Sequence, residues 1–202
     1  MKHEAWGEST ARIGLDIDAD QAVALDTYEQ LLMDRALPFG MVAAGDGGQL
    51  RERHILDSLR AAPLLGEAPG VVADLGSGAG LPGVPLAIVR PDVMFRLVET
   101  RLRRVSFLEL VVDTLGLGNA TVVHGQIQRL TPPLDVCLAR ALADPIGSWR
   151  LAEPVLARDG SLLYWAGRGF DPTSGTPEGV RISVSASPGL ADAGPVVIMT
   201  RQ

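Results

Sequence analysis

Residues 71–90, VVADLGSGAGLPGVPLAIVR, constrain the fold more than any other stretch of the chain. A short apolar run ends in an acid, Asp74. Glycines follow at 76, 78, 80 and 83, and then an apolar segment opened by proline. Glycine admits positive φ and has no Cβ, so the cluster predicts a tight turn between a buried strand and a helix. Strand, glycine turn and helix in that order are the opening unit of a doubly wound sheet.

The alternation continues. MFRLVET (94–100), ATVVHG (120–125), LDVCLAR (134–140) and GSLLYWAG (160–167) read as strands. RLRRVSFLELVVDTLGL (101–117) reads as an amphipathic helix ending at glycine. ADPIGSWRLAEPVLARDG (143–160) reads as a helix bent or interrupted at Pro154. A loop rich in Gly, Pro, Ser and Thr follows at 167–179. VRISVSA (180–186) and PVVIMTR (195–201) then predict a closing antiparallel pair. The sum is a Rossmann-like α/β fold with a mostly parallel, seven-stranded sheet.

Ahead of it, residues 1–18 are polar with weak pattern and are expected to fray. Residues 20–37 read as a helix with Asp20 as N-cap, ended by Pro38 and Gly40. AAGDGG (43–48) reads as a loop. QLRERHILDSLRAAPLL (49–65) reads as a second helix, with Leu50, His54, Ile55, Leu59 and Ala62 on one face. The expected organisation is one domain over 1–202, with helical residues 1–66 preceding a core of 67–202.

Cys137 is the one cysteine, which excludes a disulfide framework and a multi-cysteine zinc site. His3, His54 and His124 form no ligand spacing, so no metal is expected. The formal net charge of −6 gives no overall attraction to nucleic acid, and RNA contact requires a local basic patch. No signal peptide or spanning run is evident, so the expectation is a cytoplasmic monomer without membrane contact.

Three readings of the turn are open: an S-adenosylmethionine site, a dinucleotide site, and a structural turn. In Gly76-x-Gly78-x-Gly80 the third glycine comes one residue early for the dinucleotide fingerprint, and Gly83 is not counted as restoring it. There is no Gly-Lys-Ser/Thr, so a P-loop is excluded. Glu99 ends the next strand, where an acid accepts from ribose hydroxyls. Asp74 before the turn disfavours pyrophosphate and suits a cation. S-adenosylmethionine carries a sulfonium and an ammonium and no phosphate, so these acids favour it.

RERHILDSL (51–59), DLGSGAGLPGVPLAI (74–88), VET with RRVSFLELVVDTLGL, VVHG (122–125) and ARALADP (139–145) together resemble the bacterial 16S rRNA guanine-N7 methyltransferase family, RsmG or GidB. The likeness runs from about Leu50 to about Gly167. It implies a class I S-adenosylmethionine-dependent methyltransferase fold, that cofactor, and 16S rRNA or the small ribosomal subunit as partner. It places Gly76, Leu81, Ile127, Gln128 and Arg140 at cofactor positions. Asp74, Ser77, Gly78, Gly80, Glu99, Thr100 and Gln126 complete the expected pocket. His54, Asp57, Arg140, Arg104 and Arg168 are the candidates for substrate contact.

No catalytic side chain is expected. Guanine N7 has a lone pair and no proton to remove, so transfer to it needs placement and charge matching. Cys137 lies mid-strand and is read as buried and inert. TPPL (131–134) precedes its strand and lacks an aromatic, so it is read as a loop. Arg101, Arg103 and Arg104 open one helix, and Arg51, Arg53 and Arg60 lie on another. Arginine pairs suit phosphates.

The chain also departs from the family pattern. It has FGMVAAGDGG at 39–48, GQIQ at 125–128, Ala166 after the fifth strand, and FDPTSGTPEG in place of a helix. Two classes of function follow. One is a methyltransferase acting on rRNA or, if diverged, on a small molecule. The other is a non-catalytic S-adenosylmethionine-binding regulator.

Overall fold

The computed structural model describes residues 2–67, 70–131, 133–172, 177–185, 189–190 and 192–202. Seven strands form one sheet in the order β3-β2-β1-β4-β5-β7-β6. They are β1 Val71–Leu75, β2 Met94–Glu99, β3 Ala120–His124, β4 Leu134–Arg140, β5 Leu156–Trp165, β6 Val180–Ser185 and β7 Val196–Arg201. β1 to β5 are parallel, and β7 runs antiparallel to β5 and β6. Of the loop expected at 167–179, residues 173–176 lie outside the described set, as do Pro132 of the TPPL segment and Ala186 of VRISVSA.

Successive side chains of a strand face opposite sides of the sheet. Val136 and Leu138 join one core with Val72, Phe95, Leu97, Leu163 and Trp165. Cys137 and Ala139 join the other with Ala73, Leu75, Leu162 and Met199. The first core is covered by the N-terminal elements together with α4 (Gly83–Val89) and α5 (Leu102–Leu115). The second is covered by Trp149 and Ala152 of α6 (Pro145–Ala152). α5 ends at Gly116 in the left-handed region, where glycine carries no Cβ penalty.

The N-terminal region differs from expectation in four ways. Residues 2–11 do not fray; they form α1 (Lys2–Ala11), pinned by a fully buried Trp6. Arg51 lies 4.0 Å over the indole, a tertiary contact that local pattern does not reveal. The N-cap of α2 (Ala19–Leu31) is Asp18, not Asp20, because Asp18 and Gln21 form a reciprocal capping box. AAGDGG is not an open loop, since Ala44–Gln49 is a 3-10 helix. The second expected helix is broken into a π-helical Arg51–Leu56, a short α3 (Asp57–Leu59) and a 3-10 Ala62–Leu65.

At 143–160 one expectation is also corrected. The helix stops at Ala152, and 156–160 already belongs to β5. Pro154 has no N–H and would clash with a helical carbonyl four residues back, so the chain leaves the helix there.

Candidate functional site

The carboxyl ends of β1, β2, β4 and β5 lie side by side, the edge at which open α/β sheets hold ligands. Strand parity places Asp74 on the face that carries Val72, and Arg140 on the face that carries Leu138. Both therefore face the N-terminal elements.

The turn after β1 is built by backbone. The amides of Gly76 and Ser77 both donate to the Val98 carbonyl at 2.9 Å, tying the turn to β2. Gly76, Gly78 and Gly80 have φ of 75°, 59° and 94°. A Cβ on Gly76 would meet Leu142 at 2.8 Å, and one on Gly80 would meet Val84 at 2.6 Å. Ser77 is buried, and its hydroxyl donates to the Asp74 carbonyl. Tyr28, fully buried on α2, donates to the Ala79 carbonyl at 2.8 Å and braces the turn from behind. Tyr28 shares the buried face of α2 with Leu25, and no local pattern shows that its hydroxyl reaches the turn. The Leu81–Pro82 peptide is cis, and Leu81 is partly buried against the first core.

Gly83 decides what the turn faces. Counted from Gly78, the glycines at 80 and 83 do reproduce G-x-G-x-x-G, so spacing alone does not exclude a dinucleotide. The Gly83 amide, however, donates to Asp74 Oδ2 at 3.0 Å. A pyrophosphate would need that start of α4, and a buried carboxylate already occupies it. A Cβ on Gly83 would stand 2.5 Å from Leu97 and 2.7 Å from Asp74. Asp74 Oδ1 is buried with no hydrogen-bond partner. Burial pushes the Asp74 carboxyl up to about 7, against the bond from Gly83.

Glu99 is buried at the end of β2. Its Oε1 accepts from the amides of Thr100 and Arg101 at 2.7 and 2.9 Å, and its Oε2 accepts from the Gly78 amide at 3.2 Å. Burial alone would raise its pKa. The three amides and the Arg104 guanidinium, 3.5 Å away, outweigh burial and hold it below the usual range. Thr100 is exposed beside it. Beyond β3, Gln126 caps a 3-10 helix, Ile127–Arg129. Ile127 is buried against Leu75 and Val98, while Gln126 and Gln128 are exposed.

Arg140 lies in a second cluster. Its guanidinium donates to the Arg53 carbonyl and to His54 Nδ1, each at 2.8 Å, and stands 3.4 Å from Asp57 Oδ2. His54 Nε2 meets Asp46 Oδ2 at 2.9 Å. A guanidinium only donates, so Nδ1 is the acceptor and the Nε2 proton goes to Asp46. Burial and then Arg140 lower the His54 pKa against Asp46, in keeping with a neutral ring. Arg60 pairs with Asp57 at 2.8 Å, and the Trp165 indole donates to the Asp57 carbonyl. Asp46 and Arg60 belong to this cluster although the sequence did not single them out as a pair with it.

These side chains line a cavity of about 810 Å³, with Tyr164 and Ala166 on its β5 wall. Arg104 lies instead at the glycine turn. Arg168 is exposed and is not a lining residue, but it pairs at 3.0 Å with Asp192, which is. Thus two groups form. One gathers Asp74, Gly76–Gly80, Glu99 and Arg104, and the other gathers His54, Asp57 and Arg140. Cys137 is fully buried, with its thiol pushed up to about 12 by burial. Among the described residues no cluster of His, Cys, Asp or Glu could hold a metal, and no helix is long and apolar enough to cross a membrane.

The residues of the turn fit S-adenosylmethionine in three respects. The turn has positive-φ glycines where a ligand can approach backbone, and the position of a Cβ on Gly78 has no atom nearer than 3.8 Å. Two buried carboxyl groups, Asp74 and Glu99, lie against it, of the charge that suits a cationic ligand and of the acceptor type that suits a ribose. Its helix start is closed to phosphate.

Comparison with known proteins follows the same line. The sequence model of the rRNA small subunit methyltransferase G (GidB) family matches residues 21–170. The chain is 34% identical to the ribosomal RNA small subunit methyltransferase G of Acidiphilium cryptum over 195 residues, covering 95% of this chain and 89% of that protein. It is 44% identical to the protein of that name from Leifsonia xyli, covering 70% of this chain and 68% of that one. The solved structure of a SAM-dependent methyltransferase from Aquifex aeolicus superposes with a TM-score of 0.55 at 18% identity, covering 74% of this chain and 92% of that one. At that identity the likeness concerns the fold.

Proposed function

The chain belongs to the rRNA small subunit methyltransferase G family, and from that premise we propose that it methylates N7 of a guanine in 16S rRNA with S-adenosylmethionine as donor. The observation that carries the cofactor is the Asp74–Gly83 bond, which turns the glycine loop away from phosphate. When bound, the cofactor supplies an electrophilic methyl group on a sulfonium.

In this reading Asp74, Gly76, Ser77, Gly78, Gly80 and Leu81 form the floor of the pocket. Glu99 and Thr100 receive the ribose, Gln126, Ile127 and Gln128 flank the adenine, and Arg140 closes the side toward the acceptor. The cavity walled by His54, Asp57 and Arg140 takes the guanine. Its volume suits a nucleotide, and small-molecule sites of this kind span roughly 300–1,000 Å³. N7 bears a lone pair, so the residues need only hold the base and exclude water, with no general base. Arg104 and Arg168 offer charge to the RNA backbone. The protein works in the cytoplasm, as a monomer, on the small subunit.

The test pairs calorimetry with mapping of N7-methylguanosine in 16S rRNA from strains with and without the gene. Heat on adding S-adenosylmethionine and a guanine that loses its mark in the deletion strain are the expected results. No heat at saturating cofactor, or a fully retained mark, overturns the reading.

A further inference from the structure

Among the described residues, two arginines lie over aromatic rings, in opposite settings. Arg51 lies over Trp6, which is fully buried, and also pairs with Glu29 at 2.5 Å. That pair holds α1 in place. Arg103 lies 4.1 Å over the ring of Phe39, a residue 52% exposed. Arg103 is itself exposed, and among the described residues it has no acidic partner, nor has the exposed Arg101.

Packing does not explain the second pair. Phe39 lies in a short exposed stretch, 38–40, after α2 and its π-helical extension, and while its neighbours Leu37 and Met41 pack partly against the first core, Phe39 contributes to neither core cluster. Arg103 stands in the first turn of α5, where a cation opposes the helix dipole. Yet the chain carries a formal net charge of −6, so arginines without acidic partners beside a half-exposed aromatic ring are a local reversal of its overall charge. Arg104, the next residue, reaches Glu99 at the glycine turn, so the patch adjoins the cofactor site across one peptide.

We propose that Phe39, Arg103 and Arg101 form a docking surface for single-stranded RNA, an inference that rests on the rRNA-directed reading and names where that RNA lies. An exposed ring and a planar guanidinium are stacking platforms for an unpaired base, and free arginines take the phosphates on either side. Single-stranded RNA, with one negative charge per nucleotide and unstacked bases, complements both the arginines and the exposed ring.

The test is binding of a fluorescein-labelled, guanine-containing single-stranded RNA oligonucleotide at several salt concentrations, with S-adenosylmethionine affinity measured alongside. Phe39→Ala is expected to weaken RNA binding about tenfold with little change in salt slope. Arg103→Ala is expected to weaken it and to lower the salt slope by about one. Phe39→Trp retains binding, and cofactor affinity stays unchanged in all three. Wild-type RNA affinity in both alanine variants, or no binding by the wild type, overturns the proposal. So does a loss confined to assembled small subunits with binding to the free RNA intact, which assigns the face to a ribosomal protein. A failure of the methylation reading shows separately, as absent cofactor heat or a retained mark.

Discussion

Asp74 accepts a hydrogen bond from the Gly83 amide at 3.0 Å, nine residues further along the chain. The bond closes the glycine turn on itself and plugs the start of α4 with a buried carboxylate. Its other oxygen has no partner. The same pair fixes the turn and sets its charge preference.

The elevated Asp74 pKa makes the ligand-free protein sensitive to pH. Folding takes the group from roughly pH 4 in the unfolded chain to about 7, so the folded state binds more protons in that window. Stability from this group is therefore present below about pH 4 and falls as pH rises toward 7, by about 4 kcal/mol at most. Asp74→Asn removes this slope in urea titrations at pH 5 and 7.5. A cationic cofactor favours the ionised form, so its binding releases a proton near pH 6.5. Calorimetry in buffers of different ionisation enthalpy detects that release, and identical heats in all buffers contradict it.

Gly83→Ala forces a methyl against Leu97 and Asp74 at distances that real contacts do not reach. Overpacking of this kind costs about 1–3 kcal/mol. The variant is expected to unfold at lower denaturant and to bind S-adenosylmethionine more weakly. Gly118→Ala, with nothing within 4 Å and away from the turn, is the control and leaves both unchanged.

Glu99→Gln replaces an acceptor of three backbone amides by a group with its own donors. Loss of charged hydrogen bonds of this type costs about 1.5–3 kcal/mol. The lowered pKa of the native carboxyl has the opposite sign to that of Asp74. Its contribution is complete above the unfolded value of about 4.3 and is lost as pH falls through the folded one. The variant therefore differs most from wild type at neutral pH and least near pH 3, measured by denaturant titration at both.

His54 accepts a hydrogen bond from the Arg140 guanidinium on Nδ1 and donates its Nε2–H to Asp46 Oδ2. Protonating the ring breaks the contact with Arg140. Because the folded pKa is lowered, stability from this group is present above about 6.5 and is lost as pH falls below it. NMR titration should show His54 protonating below pH 6.5, while Arg140→Ala raises its pKa. A wild-type midpoint at or above 6.5 would refute this arrangement.

The sheet was legible because period-two runs, a helix ending at Gly116 and a glycine cluster are local signals. So were the two acids near strand ends, since the last one or two residues of a strand lie at the ligand edge whatever packs around them. The N-terminal region was not legible. Trp6 is ordered by Arg51, and the helix over 49–65 breaks into short turns as it packs on the sheet, and neither fact is local. Nor could spacing decide the ligand, since Gly78, Gly80 and Gly83 satisfy the dinucleotide pattern. Local pattern was enough for the succession of strands and helices, the antiparallel closing pair, and the placing of Asp74, Glu99 and Arg140 near the ends of their strands. Only tertiary structure decided what those groups face, because a hydrogen bond from Gly83 to Asp74 and one from Arg140 to His54 depend on distances between distant segments.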